Sequence, residues 1–353
     1  MMFPDAVAGP VLYAALPAKD IHMFGELHHI MGTKGTPVTQ AIVNFAKAHK
    51  DKRIAYVIEA NSQSLQLYAS SIPPPSPLKL LAKDLLNISY LGKLPPNIQI
   101  SMVDVRYSPP FHMLQATVDF DTYANIFLRG DREDYIYARY AEYMKIKQLE
   151  KAVLSGAMKS RKACGTFMMS LVDPDVPSPK WLTDVAGLTN PLKDLMRTLK
   201  RDYPTFSQKL RQIFHDELDR LVMRQPKFSA AMELANKKRH TKSARLVADK
   251  SAFLRAFMVM LQSVFMDVYA FGKIVESSHT HDAVVYLAGA NHVQTIAKFL
   301  PATAMVHAIS PDGNLDLSQA GLARGHPEPM PGFSPNGLLG KFMDEGGGRP
   351  TPM

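Results

Sequence analysis

The stretch "IHMFGELHHI" finishes an apolar run with one carboxylate and two imidazoles, Glu26, His28 and His29, within four positions. Such side chains exchange protons near neutral pH and bind divalent cations, so their clustering points to acid–base or metal chemistry. Three other short apolar runs finish in the same way. "IAYVIE" (54–59) delivers Glu59, "IQISMVDVRY" delivers Asp104 and Arg106, and "AVVYLAGANH" delivers His292. If these runs are parallel strands, their carboxyl ends share one sheet edge, where open α/β folds bind ligands. Glu26, His28 or His29, Glu59 and His292 are therefore expected to converge in one cleft as catalytic groups. Gly25, Asp104, Arg106, Gly289 and Asn291 would surround them. As a metal centre, the same edge offers Glu26, His28, Glu59 and His292.

Each group also has a plainer reading. Glu59 is as readily the first solvated residue of a loop. Asp104 and Arg106 fit a mutual pair or a loop cap better than direct catalysis. His307 lies inside an apolar run and reads as a packed sheet residue. His279 and His281, in "SSHTHD", have the spacing of a metal pair, but they precede a strand and belong to the opposite edge as a solvated loop. Cys164 has no nucleophile context and reads as structural.

The elements that must position the cluster are legible from periodicity. Five short apolar runs, 21–26, 54–59, 98–105, 283–288 and 304–309, read as strands covered on both faces. Between the first two, "TPVTQAIVNFAKAHKDK" has helical spacing, Thr36 as candidate N-cap and a basic end. Strand, helix, strand in this space implies a parallel crossover, hence an α/β fold with a mostly parallel central sheet flanked by helices. The middle reads as helices: "DYIYARYAEYMKIKQLEKAVLSGAM", "PLKDLMRTLKRDY", "PTFSQKLRQIFHDELDRLVM" and "KSAFLRAFMVMLQSVFMDVYAFGKIV". The expected organisation is an α/β half at 1–130, a helical insertion or subdomain at 131–278, the rest of the core at 279–318 and a flexible Pro/Gly-rich tail at 319–353. "IPPPSP" (72–77) reads as a stiff extended loop.

With 353 residues, 46% of them hydrophobic, the chain has enough material for a substantial core. Its single cysteine excludes an internal disulfide and any multi-cysteine zinc site, which fits a reducing compartment. The N-terminus lacks the basic start and unbroken apolar core of a signal peptide. The longest apolar stretch carries Arg255, Gln262, Asp267 and Lys273 and reads as a buried helix rather than a membrane span. A soluble intracellular protein is the expectation. The net charge of +9 concentrates in "ANKKRHTKSAR" and "MKSRKA". A solvated helix face accounts for these runs; the alternative is salt-dependent contact with nucleic acid through Lys237, Lys238 and Arg239.

"FGELHH" and "LAGANHV" together resemble the superfamily of erythromycin esterases, ChaN lipoproteins and TraB/Tiki proteins. Gly25-Glu26-Leu27-His28 matches its early Gly-x-x-His motif, and Gly289-Ala290-Asn291-His292 its late one. Glu59 is similar to the acidic residue after its second strand, and "VDVR" to its third-strand ending. The likeness covers roughly residues 15–110 and 280–310. It implies hydrolysis of an ester, lactone or amide bond in a small-molecule or peptide substrate, or the handling of a divalent metal, haem or iron. The ChaN and Tiki pattern selects His28, whereas the esterase Glu-x-x-His pattern selects His29. Without metal, His28 or His29 would activate water, Glu26 or Glu59 would orient it, and His292 would stabilise charge or protonate the leaving group. The rival expectation is a non-catalytic scaffold, virion component or basic interaction protein on the same fold.

Overall fold

The computed structural model describes residues 3–27, 30, 32–60, 95–105, 161–177, 190–224, 244–322 and 324–327. His28, His29, Arg106, Lys237, Lys238, Arg239, the "IPPPSP" loop and the expected helix at 134–158 lie outside them. The described parts of Met1–Asp104 and Asp267–Leu338 form one compact unit, and those within Val105–Met266 form a second.

The first unit is built on a six-stranded sheet. Its strands are β2 (Pro10–Leu16), β3 (Ile21–Glu26), β5 (Ile54–Ile58), β6 (Ile98–Met102), β7 (Ala283–Gly289) and β8 (Val306–Ile309), in the order β6-β5-β7-β3-β2-β8. Neighbours pair in parallel from β6 to β3, and β2 is antiparallel to both β3 and β8. The five expected runs therefore point one way in a single sheet, and β2 alone opposes them. The last strand begins at Val306 rather than 304, because Ala302–Ala304 forms a 3-10 turn.

Two helices cover opposite faces. The helix α1 (Val38–Ala48) buries Val38, Ala41, Ile42, Phe45 and Ala46 against Phe24, Tyr56, Val285 and Leu287. Those α1 positions recur at helical spacing, and the sheet partners at alternate strand positions, so sequence period and buried face agree. Thr36 does not cap this helix: it belongs to a short strand, β4 (Thr36–Pro37), and Pro37 holds the N-cap position. β4 joins β1 (Ala6–Ala8) and β9 (Asn314–Asp316) in a small second sheet. Beside it, a Cβ on Gly32 (φ +62°) would lie 2.0 Å from the Gly313 carbonyl oxygen, so only glycine fits.

On the other face lies the helix that follows β7, Ala290–Phe299. Gly25 alternates with Phe24, and a Cβ there would stand 2.7 Å from Ala290 Cα. That glycine lets a helix seat directly on the sheet. The Phe299 ring stacks on Phe271 of the long helix Ala244–Thr280 (centroids 5.1 Å apart). His279 lies in the last turn of that helix instead of in a loop, and it is exposed; His281 follows the helix and contacts Thr280 Oγ1 at 2.8 Å. His307 sits on the edge strand β8, half-buried, with Nδ1 3.3 Å from the Gly325 carbonyl oxygen.

Residues 319–322 and 324–327, which the sequence places in a flexible tail, belong to the folded part of the chain. Ala320 is buried, Arg324 bridges Val306, Gly325 N–H donates to the Met305 carbonyl, and His326 Nε2 meets the Leu300 carbonyl at 3.0 Å. These contacts cover the outer edge of β8.

Between β6 and β7 in sequence, the described elements are four helices: α2 (Arg161–Val172), α3 (Asn190–Asp202), α4 (Phe206–Arg224) and α5 (Ala244–Thr280). In the second unit, α2, α3 and α4 pack on one another. Leu192, Met196 and Leu199 of α3 and Phe206, Leu210, Ile213, Phe214 and Leu218 of α4 are buried at helical spacing. The helix after β7, Ala290–Phe299, is α6. No described helix is long and apolar enough to cross a membrane.

Candidate functional site

The sheet topology selects one place for a site. β3 leads through α1 to β5, towards one side of the sheet; its neighbour β7 leads through α6 to β8, on the other side. Adjacent parallel strands that exit in opposite directions, with their helices on opposite faces, leave a crevice beyond their carboxyl ends. Of the residues named from the sequence, the described ones at strand ends lie along this edge. Asp104, Glu59, Gly289 and Glu26 follow or end β6, β5, β7 and β3, which are consecutive strands in the sheet. Glu26 pairs in register with Gly289, three residues before His292, and its side chain is buried. The backbone N–H of Asp104 donates to the Ala60 carbonyl at 3.2 Å, and Asp104 is also buried.

Two of the expected groups meet directly. Glu59 Oε2 accepts the Gly289 N–H at 2.7 Å, and Glu59 Oε1 stands 3.6 Å from His292 Nε2. Gly289 is the N-cap of α6, where free backbone N–H groups and the helix dipole favour a carboxylate. Fixing one oxygen on that N–H aims the other at the imidazole. The opposite ring nitrogen, His292 Nδ1, lies 2.7 Å from Asp267 Oδ1 of α5. His292 thus stands between two carboxylates, with side-chain exposures of 14% for the imidazole, 6% for Glu59 and 4% for Asp267. At such burial, water screens these charges far less than at the surface.

Asp267 is the residue that sequence reasoning missed. It appeared only as one of the polar interruptions that argue against a membrane span. The signal was present in "QSVFMDVYAF": a single carboxylate in an apolar helix needs a buried partner. Its partner lies twenty-five positions away, beyond any helical spacing.

The chemistry of the arrangement follows from its donors and acceptors. Asp267 accepts from Nδ1–H, which fixes the ring orientation and leaves Nε2 to take up or return a proton. Nε2 and Glu59 Oε1 then form adjacent acceptors that suit a guest bearing protons or positive charge. Two ligands of one tetrahedral divalent ion stand about 3.3 Å apart, from bond lengths near 2.0–2.1 Å, so a gap of 3.6 Å is of that order. Among the described residues, however, no three His, Cys, Asp or Glu side chains group as a metal centre, and Glu26 does not complete one with Glu59 and His292. Asn291 is exposed at the start of α6. Cys164 lies within α2, in the second unit.

Comparisons with protein-family models, curated proteins and solved structures find no match for this chain.

Proposed function

We propose that the chain is a hydrolase of an ester, lactone or amide bond, using histidine–carboxylate acid–base chemistry at the carboxyl edge of β3, β5 and β7. The observation that carries this reading is the Asp267–His292–Glu59 array, in which a buried carboxylate holds the imidazole. An imidazole whose Nδ1 is held by a buried carboxylate exchanges protons through Nε2, the arrangement used to activate water or protonate a leaving group. Glu59, oriented by the Gly289 N–H, would steer a water molecule towards that nitrogen. His28 or His29 would supply the second proton-transfer group that hydrolysis requires, and Glu26 would orient it. The erythromycin esterase, ChaN and TraB/Tiki resemblance of the two Gly-x-x-His motifs favours the same reaction class. If a divalent ion takes part, His292 Nε2 and Glu59 Oε1 are its ligands in the described part of the site, and it would supply an activated water.

The rival reading is an ionic clamp on a non-catalytic scaffold, favoured by the bond from Gly289 to Glu59, which ties β5 to α6 whatever else happens. Metal analysis of the purified protein, with an ester, lactone and peptide substrate screen, separates the two. The screen is repeated on His28→Ala, His29→Ala and His292→Ala. Turnover lost with His292 and with one histidine of the pair supports the hydrolase. If the wild type turns over nothing and binds no metal or haem, while the folded variants behave identically, the clamp reading stands.

A further inference from the structure

The second unit contains a cavity of about 400 Å³ whose wall is formed by α2, α4 and the turn after α2. Among the described lining residues, the apolar surface comes from Met169, Val176 and Phe214, and the polar groups are Thr166, Arg211 and His215, the last two four residues apart on α4. Opposite them, Gly165 of α2 contributes no side chain; a Cβ there would stand 3.5 Å from His215 Cε1. Among the described residues, no hydrogen bond or ion pair occupies the Arg211 guanidinium or the His215 ring. The turn carrying Val176 is held in place by Lys200 of α3, which donates to both Asp173 and Asp175.

We infer that this cavity binds an organic carboxylate with an apolar chain. The volume lies in the range of small-molecule sites, and such sites combine apolar walls with a few converging polar groups. A guanidinium presents paired N–H donors that match a carboxylate, whereas a lysine would offer only a point charge. An apolar tail on the ligand covers Met169, Val176 and Phe214, which an inorganic anion would leave wet. The site belongs to the second unit and its reading does not depend on the hydrolase reading.

The test is calorimetric titration of the full chain with octanoate, compared with octanol (tail without charge) and acetate (charge without tail). Two variants complete it. Arg211→Gln removes the charge at an exposed position. Gly165→Leu fills the cavity while replacing a helix-interior glycine by a better helix former, so folding is favoured. Saturable octanoate binding, at least about tenfold weaker for octanol, acetate and both variants, is the expected result, since a charged hydrogen-bond pair is worth about a factor of ten or more. The proposal is overturned if octanoate shows no saturable binding at millimolar concentration, if octanol binds equally well, or if Arg211→Gln and Gly165→Leu bind as the wild type does.

Discussion

His292 occupies a position in which each neighbour restricts the next: Asp267 fixes Nδ1, and Glu59, itself fixed by the Gly289 N–H, faces Nε2. Removing one member takes away a carboxylate–imidazole contact that is largely shielded from water. Asp267→Ala should therefore lower stability by about 3 kcal/mol in urea titration, and the double variant Asp267→Ala/His292→Ala should cost less than the sum of its parts. Additive costs would mean that the two side chains do not interact. A buried histidine sits at the other end of β3. His22 Nε2 lies 2.7 Å from Asp20 Oδ1, and His22 Nδ1 lies 2.7 Å from the Tyr13 hydroxyl. Burial, and then the charge of Asp20, push the Tyr13 phenol up from its ordinary value. For Asp20, burial raises the carboxyl, but the hydrogen bond and charge of His22 outweigh it and hold the group below 3.8. A carboxyl depressed on folding adds stability above its unfolded value and loses it as pH falls through the folded value. Asp20→Asn should accordingly be destabilised at pH 7, with the gap to wild type closing below about pH 4. A gap that persists unchanged into acid would contradict this pairing.

At the scale of elements, the two glycines of the paired motifs make different demands. Gly25 faces the backbone of Ala290 with no room for a Cβ, whereas a Cβ on Gly289 would meet His292 Cδ2 at 3.4 Å and Glu59 Oε2 at 3.5 Å. Gly25→Ala should cost about 2–3 kcal/mol, and Gly289→Ala less than about 1 kcal/mol as an ordinary N-cap change, both read from thermal unfolding. Equal costs would show that α6 does not seat on β3 through Gly25. The same elements show how far sequence reasoning reaches. The runs leading into Glu26, Glu59 and Gly289 were legible because strands buried on both faces are short apolar blocks, whereas β6, before Asp104, is an edge strand and only partly covered. β2 was not: "PVLYAAL" begins with a proline and precedes "PAK", and its antiparallel pairing with β8 depends on contacts distant in sequence. Thr36 had the right chemistry for a cap, yet pairing with β1 claimed its backbone for a strand. Asp267 stayed hidden because helical periodicity says which face is buried and not what a buried carboxylate touches.

For the whole molecule, the excess of positive charge resides in short runs without interleaved aromatic residues, a pattern that supports only loose electrostatic contact with nucleic acid. Mobility-shift assays at physiological salt should give dissociation constants weaker than about 1 μM, in the non-specific range. A tight complex, lost when Lys237, Lys238 and Arg239 are neutralised, would instead make nucleic-acid binding the chain's principal property. The central claim is that the edge shared by β3, β5 and β7 is a working acid–base site, with His292 positioned by Asp267. It is tested most directly by measuring kcat/KM for the best ester, lactone or amide substrate of the screen in wild type and Asp267→Asn, at a temperature where both are folded. The account predicts a fall of roughly 10²–10⁴-fold, the usual loss when a positioned proton-transfer group is disabled. Turnover unchanged in Asp267→Asn, or no turnover of any such substrate by the wild type, would contradict it.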